Sequence, residues 1–235
     1  MKIATLNIDW GRKAKSKNHY IKIQNFLSAQ NFDFLVLTEA IDLVLPNYSF
    51  KYFSEMIPEN IVYEKLNYTD YLNGAKAYRT AIYSNYSCFK QYQVEDSRTA
   101  MALEFQIDEQ SFILYASIIG TRFKEKPYAQ VELVNFIKDC EQLYAQNSHL
   151  IIAGDFNTSF LENEKDYQIN AETTSQLKCL FEKFKLHNAT SAIAKNIDHI
   201  IIPESLKESI INFDVFVEKD VLSDHQGVFV DLEWM

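Results

Sequence analysis

The sequence feature that most constrains this fold is an apolar run that stops at a glycine and is followed by two polar side chains. The run Ile151-Ile152-Ala153 is typical of a buried strand, and Gly154 ends it. Asp155 and Asn157 follow two positions apart, so an extended backbone would turn both side chains to the same side. A Gly-Asp pair after a strand is most often a turn, so its meaning depends on how the other strands end.

The first part of the chain predicts a strand-helix-strand unit whose two strands end in polar side chains. The predicted elements are a strand over Lys2 to Ile8, a helix over Tyr20 to Gln30 and a strand over Phe32 to Leu37. Asn7 and Asp9 close the first strand, and Glu39 closes the second, where a carboxylate is costly unless it meets water, a donor or a metal. Parallel strands joined by a helix end at one edge of a sheet, so we expect these three side chains to lie together.

Apolar periodicity in the rest of the chain predicts further strands and two helices. Strands are predicted over Ala77 to Ser84, Thr99 to Gln106 and Phe112 to Ile119, which we interpret as an antiparallel meander. Predicted after them are a helix over Tyr128 to Gln146, a strand over His149 to Ala153, a helix over Thr173 to Phe184, and strands over Asn196 to Pro203, Ile210 to Val217 and Val228 to Leu232. The sequence has no linker or repeat and is 47% hydrophobic, so we expect a single domain over residues 1–235.

The charge balance limits the partners that the whole surface can attract. A formal net charge of −9 argues against general electrostatic attraction to nucleic acid or to an anionic membrane. Two local exceptions are the basic loops Arg12–Lys17 and Arg122–Lys126, which follow predicted strand ends and would suit a polynucleotide backbone. No apolar run approaches the length of a membrane span, and the first residues resemble a strand rather than a leader, so we expect a cytoplasmic protein.

The polar residues at the predicted strand ends have a common chemistry. They are Asn7, Asp9, Glu39, Asp155, Asn157, Asp198, Asp224 and His225. Oxygen ligands without cysteine suit Mg²⁺ or Mn²⁺, and the amides of Asn7 and Asn157 can hold phosphate oxygens without repelling them. A histidine beside a carboxylate suits proton transfer, and Asp198 is a second carboxylate that could fix the tautomer of His225. Together these groups predict a metal-assisted phosphoester hydrolase.

Five segments that carry these residues resemble one known family. They are Thr5-Leu6-Asn7-Ile8-Asp9-Trp10-Gly11, Phe34-Leu35-Val36-Leu37-Thr38-Glu39, Gly154-Asp155-Phe156-Asn157, Asn196-Ile197-Asp198-His199-Ile200 and Ser223-Asp224-His225. In this order they resemble the endonuclease/exonuclease/phosphatase superfamily, whose members include DNase I-like and exonuclease III-like nucleases. The resemblance spans almost the whole chain. It implies a DNase I-like four-layer α/β sandwich, in which two facing, mostly antiparallel sheets are flanked by helices and one site lies at an edge.

The resemblance also implies a metal site built from oxygen ligands. Glu39 would be the main ligand of Mg²⁺, with Mn²⁺ as a substitute. Asn7, Asp9 and Asp224 would lie in or near the metal shell.

The implied catalytic groups are two pairs. Asp155 and Asn157 would contact the attacking water and the scissile phosphate, and His225 with Asp198 would handle the proton. Either Asp155 or His225 could activate the water, and the sequence favours neither.

The chain departs from the family pattern at one position. The family usually places a histidine or tyrosine against the phosphate from the strand predicted over Phe112 to Ile119, where this sequence has Ser117. Either Arg122 in the next loop compensates for the missing group, or the chemistry is weaker or altered. Asn7, Asn157, Ser117 and Arg122 are therefore the expected phosphate contacts.

The family resemblance indicates a reaction type and leaves three hypotheses about the substrate. A phosphodiesterase that cleaves nucleic acid agrees with the two basic loops. A phosphatase or phosphodiesterase for a small phosphorylated molecule or a lipid head group agrees better with the net acidity. A catalytically inactive binding module of the same fold is the third hypothesis, and metal-dependent turnover would separate it from the other two.

Overall fold

Two six-stranded sheets face each other in this computed structural model, which describes residues 1–9, 17–57, 62–63, 66–67, 77–120 and 126–234. The strands are β1 (Lys2–Asn7), β2 (Phe34–Ile41), β3 (Phe50–Phe53), β4 (Val62–Tyr63), β5 (Leu66–Asn67), β6 (Ala77–Ser84), β7 (Lys90–Tyr92), β8 (Ala100–Ile107), β9 (Gln110–Ile118), β10 (Leu150–Asp155), β11 (Leu186–Asn188), β12 (Asp198–Pro203), β13 (Ile210–Val217) and β14 (Gly227–Leu232). The helices are α1 (Lys17–Ser28), α2 (Lys126–Gln146) and α3 (Ala171–Lys183), with 3-10 turns at Lys165–Tyr167 and Glu204–Ser209.

The sheets have related strand orders. The first sheet has the order β13-β14-β1-β2-β6-β3, and the second has the order β11-β12-β10-β9-β8-β7. β1 and β2 are parallel in the first sheet, and β10 and β9 are parallel in the second. The other described pairings are antiparallel. The predicted sandwich of mostly antiparallel sheets is confirmed, and so is the parallel unit formed by β1, α1 and β2.

The apolar residues of the strands divide between an inner and two outer layers. Residues such as Ile3, Val36 and Ile151 fill the space between the two sheets. The opposite faces pack against helices, with Leu27 of α1 on the first sheet and Leu177 of α3 on the second. Because both faces of the central strands are buried, the runs are continuously apolar rather than alternating. None of the helices in the described ranges is both long and apolar enough to cross a bilayer.

The predicted meander is wrong in one strand. β6 (Ala77–Ser84) belongs to the first sheet, whereas β8 and β9 form a meander in the second sheet with β7, a short strand that the sequence did not predict. Apolar alternation identifies a strand but carries no information about which of two facing sheets it joins. The chain crosses between the sheets after Ser84.

The second predicted strand also extends further than expected. β2 continues to Ile41, so Glu39 lies inside the strand rather than at its end. Its φ of 44° is left-handed, and this single residue interrupts the regular pleat. The strand resumes because Ala40 pairs with Tyr78 of β6.

We expect acid to destabilise the fold through His199, which is fully buried on the helix side of β12. Its Nε2 donates to the Thr158 carbonyl at 2.9 Å and its Nδ1 accepts from the Thr190 hydroxyl at 3.2 Å, so the neutral ring is satisfied. Burial lowers the pKa of His199 from 6.5 to about 4. The unfolded chain therefore binds a proton at higher pH than the folded chain does. The free energy of unfolding should fall by about 3 kcal/mol between the two pKa values, and it should be unaffected above the higher one.

Urea denaturation at a series of pH values measures this effect. The His199→Gln protein keeps a donor and an acceptor but does not titrate, so its stability should depend less on pH in the same window. An equal pH dependence in both proteins would contradict the prediction.

Candidate active site

Polar side chains from both sheets meet at one edge of the sandwich. Asn7 at the end of β1 donates from Nδ2 to Oδ2 of Asp155 at 2.9 Å, which links the first sheet to the second. Asp155 ends β10 and pairs with Asp198, the first residue of β12. All three side chains are at least 98% buried. The ends of the apolar strands therefore bring one amide and two carboxyl groups together in a buried position.

The same local turn follows β1 and β10. The backbone N–H of Asp9 donates to Oδ1 of Asn7 at 2.8 Å, and the N–H of Asn157 donates to Oδ1 of Asp155 at 2.8 Å. These contacts are the side-chain-to-backbone bonds of Asx turns. Asp9 has a φ of 44° and Asn157 a φ of 49°, so each turn places a non-glycine residue in the left-handed region.

The left-handed turns change where the second side chain of each pair lies. An extended strand would turn Asp155 and Asn157 to one side, but β10 ends at Asp155. Asn157 instead donates from Nδ2 to the Ile119 carbonyl at 2.9 Å, which holds its side chain against the end of β9. Left-handed backbone costs a non-glycine residue of order 1 kcal/mol, and such strain tends to occur at functional sites.

His225 and Asp198 form a close pair. His225 lies in the loop before β14, and its Nδ1 is 2.6 Å from Oδ2 of Asp198. Burial would lower the pKa of His225, but the carboxylates of Asp198 and Asp155 outweigh it and raise the pKa to about 10. The ring is therefore protonated at neutral pH, and Nδ1 donates to Asp198.

The pKa of Asp155 is also raised. Burial raises its pKa to about 8, and Asp198 adds to the shift, whereas His225 and the hydrogen bond from Asn7 oppose it. Ligand atoms of Asp155, Asp198 and His225 all lie within 4.8 Å of one another. This spacing would also suit a metal ion. The atoms of the cluster hydrogen-bond to one another and to Asn7, an arrangement that also fits proton transfer.

The predicted metal ligands form a second group of charges beside this cluster. Glu39 is partly buried, and burial raises its pKa, with the neighbouring carboxylates Asp9 and Asp224 adding to the shift. Asp224 is exposed at the edge, where the Ser223 hydroxyl donates to its Oδ1 at 3.3 Å. Three carboxylates that repel one another and offer only oxygen atoms fit a hard divalent cation such as Mg²⁺ or Mn²⁺. Asn7 is adjacent, but both ends of its amide already have partners.

The two remaining predicted phosphate contacts have different outcomes. Ser117 pairs with Gly154 and is 4% exposed, so it lies directly beside the turn that carries Asp155. Arg122 lies outside the described residues. The site therefore has a small hydroxyl at the position where a larger phosphate-facing group was expected.

Sequence reasoning missed one charged pair at the same edge. Arg79 of β6 donates from NH2 to Oε1 of Glu132 in α2 at 3.1 Å, and both side chains are only 8% exposed. The signal was present in the sequence, since Arg79 is a charged residue within the otherwise apolar strand Ala77–Ser84. Its partner lies 53 residues away, which no local pattern indicates.

Comparison with known proteins is consistent with this geometry. A family model described as the endonuclease/exonuclease/phosphatase family matches residues 4–225. A variant of the 3′ phosphatase NExo from Neisseria, solved bound to a product DNA hairpin, is similar over 100% of both chains with a TM-score of 0.71 and 14% identity. The 3′-5′ exonuclease NExo from Neisseria meningitidis is similar over 100% of both chains, with a TM-score of 0.69 and 16% identity.

A third solved structure comes from a mobile element. The endonuclease domain of TRAS1, a telomere-specific non-LTR retrotransposon, is similar over 100% of this chain and 99% of its own, with a TM-score of 0.63 and 12% identity. No curated protein matches the chain by sequence. At these identities the solved structures establish the fold.

Proposed function

The chain belongs to the endonuclease/exonuclease/phosphatase family and is a phosphoester hydrolase, and we propose that it is a Mg²⁺-dependent phosphodiesterase that cleaves nucleic acid. The observation that carries this proposal is the cluster of Asn7, Asp155, Asp198 and His225, which joins the two sheets through buried hydrogen bonds. It places the Asp155 carboxyl group and the imidazole of His225 side by side at the edge of the sandwich.

Asp155 is the group that we infer takes the proton from the attacking water. A general base works best when its pKa lies near the working pH, and burial raises the pKa of Asp155 from the usual carboxyl value towards that range. His225 is less suited to accept this proton, because the carboxylates of Asp198 and Asp155 raise its pKa and favour the charged imidazolium. The imidazolium instead neutralises charge on the phosphate, with Nδ1 held by Asp198 and Nε2 left for the substrate.

The metal would be held by Glu39, with Asp9, Asp224 and Asn7 in or near its shell. A divalent cation bound there supplies charge stabilisation to the phosphoryl oxygens. The oxygen-only donor set supports Mg²⁺ or Mn²⁺ over softer metals. Asn157 is the second amide of the site, and its contact with Ile119 fixes its position beside Asp155.

Nucleic acid is the favoured substrate class because of what the similar structures are. One is a 3′ phosphatase bound to a DNA hairpin, one is an exonuclease, and one is an endonuclease domain. The two basic loops that support the same hypothesis from sequence lie mostly outside the described residues. The net charge of −9 keeps a small phosphorylated molecule or lipid head group as the second candidate.

A substrate panel tests this function. The purified protein would be incubated with Mg²⁺, Mn²⁺ or EDTA and with single-stranded and duplex DNA, RNA, an abasic duplex, inositol phosphates and a generic phosphodiester. We expect polynucleotide cleavage that stops in EDTA. Turnover of the small esters alone would favour the second candidate, and no turnover of any substrate would contradict both.

Salt dependence supplies an independent measurement. Each phosphate contact made by a lysine or arginine releases counterions, so binding to a polynucleotide should weaken steeply as salt rises. A small ester contacts few cationic groups, so its KM should change little over the same range. Equal salt dependence for both substrates would argue against an extended polynucleotide track.

A further inference from the structure

Links between the two halves of the sandwich follow one another along the edge that carries the candidate site. The first link joins His225, in the loop before β14, to Asp198 of β12. The second joins Asn7 of β1 to Asp155 of β10. The third is Arg79 of β6 with Glu132 of α2, the helix that covers the second sheet. The strand orders β14-β1-β2-β6 and β12-β10-β9-β8 run side by side, so these links occur in the same sequence across the edge.

Glu39 and Ser117 occupy the interval between the second link and the third. Glu39 belongs to β2, which lies between β1 and β6, and Ser117 belongs to β9, the neighbour of β10. A phosphate held by Asn7 and by a metal on Glu39 would therefore have His225 on one flank. The opposite flank is the side of Arg79.

Arg79 lies directly across the strand pair from Glu39. Thr38 pairs with Thr80 and Ala40 pairs with Tyr78, which leaves Glu39 and Arg79 opposite each other. The positive charge of Arg79 also opposes the upward shift in the pKa of Glu39, which agrees with this proximity.

Glu132, the partner of Arg79, also lies near Ser117. Glu132 and Ser117 line one small cavity between β9 and α2, together with Tyr115 and Asp139. Arg79 therefore lies close enough to Glu39 to affect its pKa, and it donates to a residue that lines the same cavity as Ser117.

The burial of the ion pair between Arg79 and Glu132 is not explained by stability, because a buried ion pair gives little net stabilisation. Desolvation of two charges costs several kcal/mol per ion, and an apolar pair of the same size is often equally stable or more stable. Arginine is the cation best suited to phosphate because its guanidinium presents a planar set of donors. A cation held at this place by a carboxylate is better explained by an anionic ligand than by stability.

We propose that Arg79, held in position by Glu132, is the phosphate-binding cation of this site and takes the place of the group that Ser117 cannot supply. This inference rests on the proposed phosphoester hydrolysis and adds a specific residue to it. Arg79 contacts the phosphate on the flank opposite His225, and Glu132 is a positioning residue that acts through Arg79.

Steady-state kinetics of four variants test the proposal. Arg79→Gln should lower kcat by about 10²-fold, as does the loss of one donor to a developing oxyanion, and Arg79→Lys should retain part of the rate. Glu132→Gln should give an intermediate loss. Arg98→Gln is the matched control, because Arg98 is 44% exposed and pairs only loosely with Glu55 at 3.8 Å, so its kinetics should not change.

Two further measurements separate phosphate contact from a structural role. Millimolar guanidinium chloride should restore part of the activity of Arg79→Ala, whereas sodium chloride at equal concentration should not. Mn²⁺ binding followed by electron paramagnetic resonance should be equal in wild type and Arg79→Gln. Failure of rescue together with a loss of Mn²⁺ affinity that matches the loss in kcat would overturn the proposal, because Arg79 would then act only through Glu39.

Calorimetric titration with inorganic phosphate keeps this test independent of turnover. Wild type in Mg²⁺ should bind phosphate more tightly than Arg79→Gln, whichever substrate the enzyme uses. If wild type hydrolyses no phosphoester, the proposed function fails, but weaker phosphate binding in Arg79→Gln would still support the assignment. Equal phosphate affinities would overturn it even in an active enzyme.

Discussion

Replacing Asp155 with asparagine is expected to lower kcat by about 10³-fold, the loss typical of a general base that also positions its neighbours. The change removes the proton acceptor that we infer for water attack. It also places an amide group among donors, because Oδ2 of Asp155 accepts from Asn7 and Oδ1 accepts from the N–H of Asn157. Only one of these two bonds can survive in the variant.

Kinetics on the best substrate of the panel would measure this effect. Asp166→Asn is a suitable control, because Asp166 lies exposed in a 3-10 turn, and its variant should keep the wild-type rate. His225→Ala should also lose activity, by about 10²-fold or more, since it removes the protonated partner. An Asp155→Asn protein with a normal kcat and a normal circular dichroism spectrum would exclude Asp155 as the base.

Replacing Gly154 with alanine is expected to destabilise the protein by about 4 kcal/mol or more, a loss that few single substitutions cause. A Cβ at this position would lie 1.9 Å from the backbone oxygen of Ser117, and the φ of 149° already disfavours a side chain. The atom it would meet belongs to β9, the parallel neighbour of β10. Relief of the clash therefore requires the two central strands of the second sheet to separate.

Thermal and urea denaturation of the Gly154→Ala protein would measure the loss. Gly120→Ala is the matched control, since its φ of 79° is also unfavourable, but its Cβ would meet the flexible Ile169 side chain at 2.2 Å. That side chain can move, so the control should lose about 1–2 kcal/mol. Equal losses in both proteins would show that backbone conformation, rather than the contact with β9, makes Gly154 necessary.

Strand ends were the part of the site that the sequence could predict. An apolar run must stop where polar groups reach solvent or one another, so Asn7, Asp155 and Asp198 were visible as breaks in the pattern. Parallel pairing of β1 with β2 followed from the intervening helix, because a crossover of that length favours parallel strands. The positions of strand ends were therefore enough to predict these polar residues, although the sequence does not show that the strands form two sheets.

The rest depended on interactions between distant segments. The left-handed conformation of Glu39 has no local signal, because glutamate rarely adopts it and the strand continues on both sides. The partnership of Arg79 with Glu132 arises only after β6 joins the first sheet and α2 covers the second. Which sheet a strand joins depends on how the faces of the two sheets pack together. The sequence of a single strand carries no information about this packing.

The order in which the strands appear along the chain has a consequence for protein synthesis. The second sheet is built from one continuous segment, β7 to β12, whereas the first sheet needs both early and late strands. β14 pairs with β1, and the loop before it supplies His225. A ribosome-bound chain that has not yet extruded residues 225–232 lacks both the imidazole and the strand that joins β13 to β1. We therefore expect the complete first sheet and the contact between His225 and Asp198 to form only after those residues have left the exit tunnel.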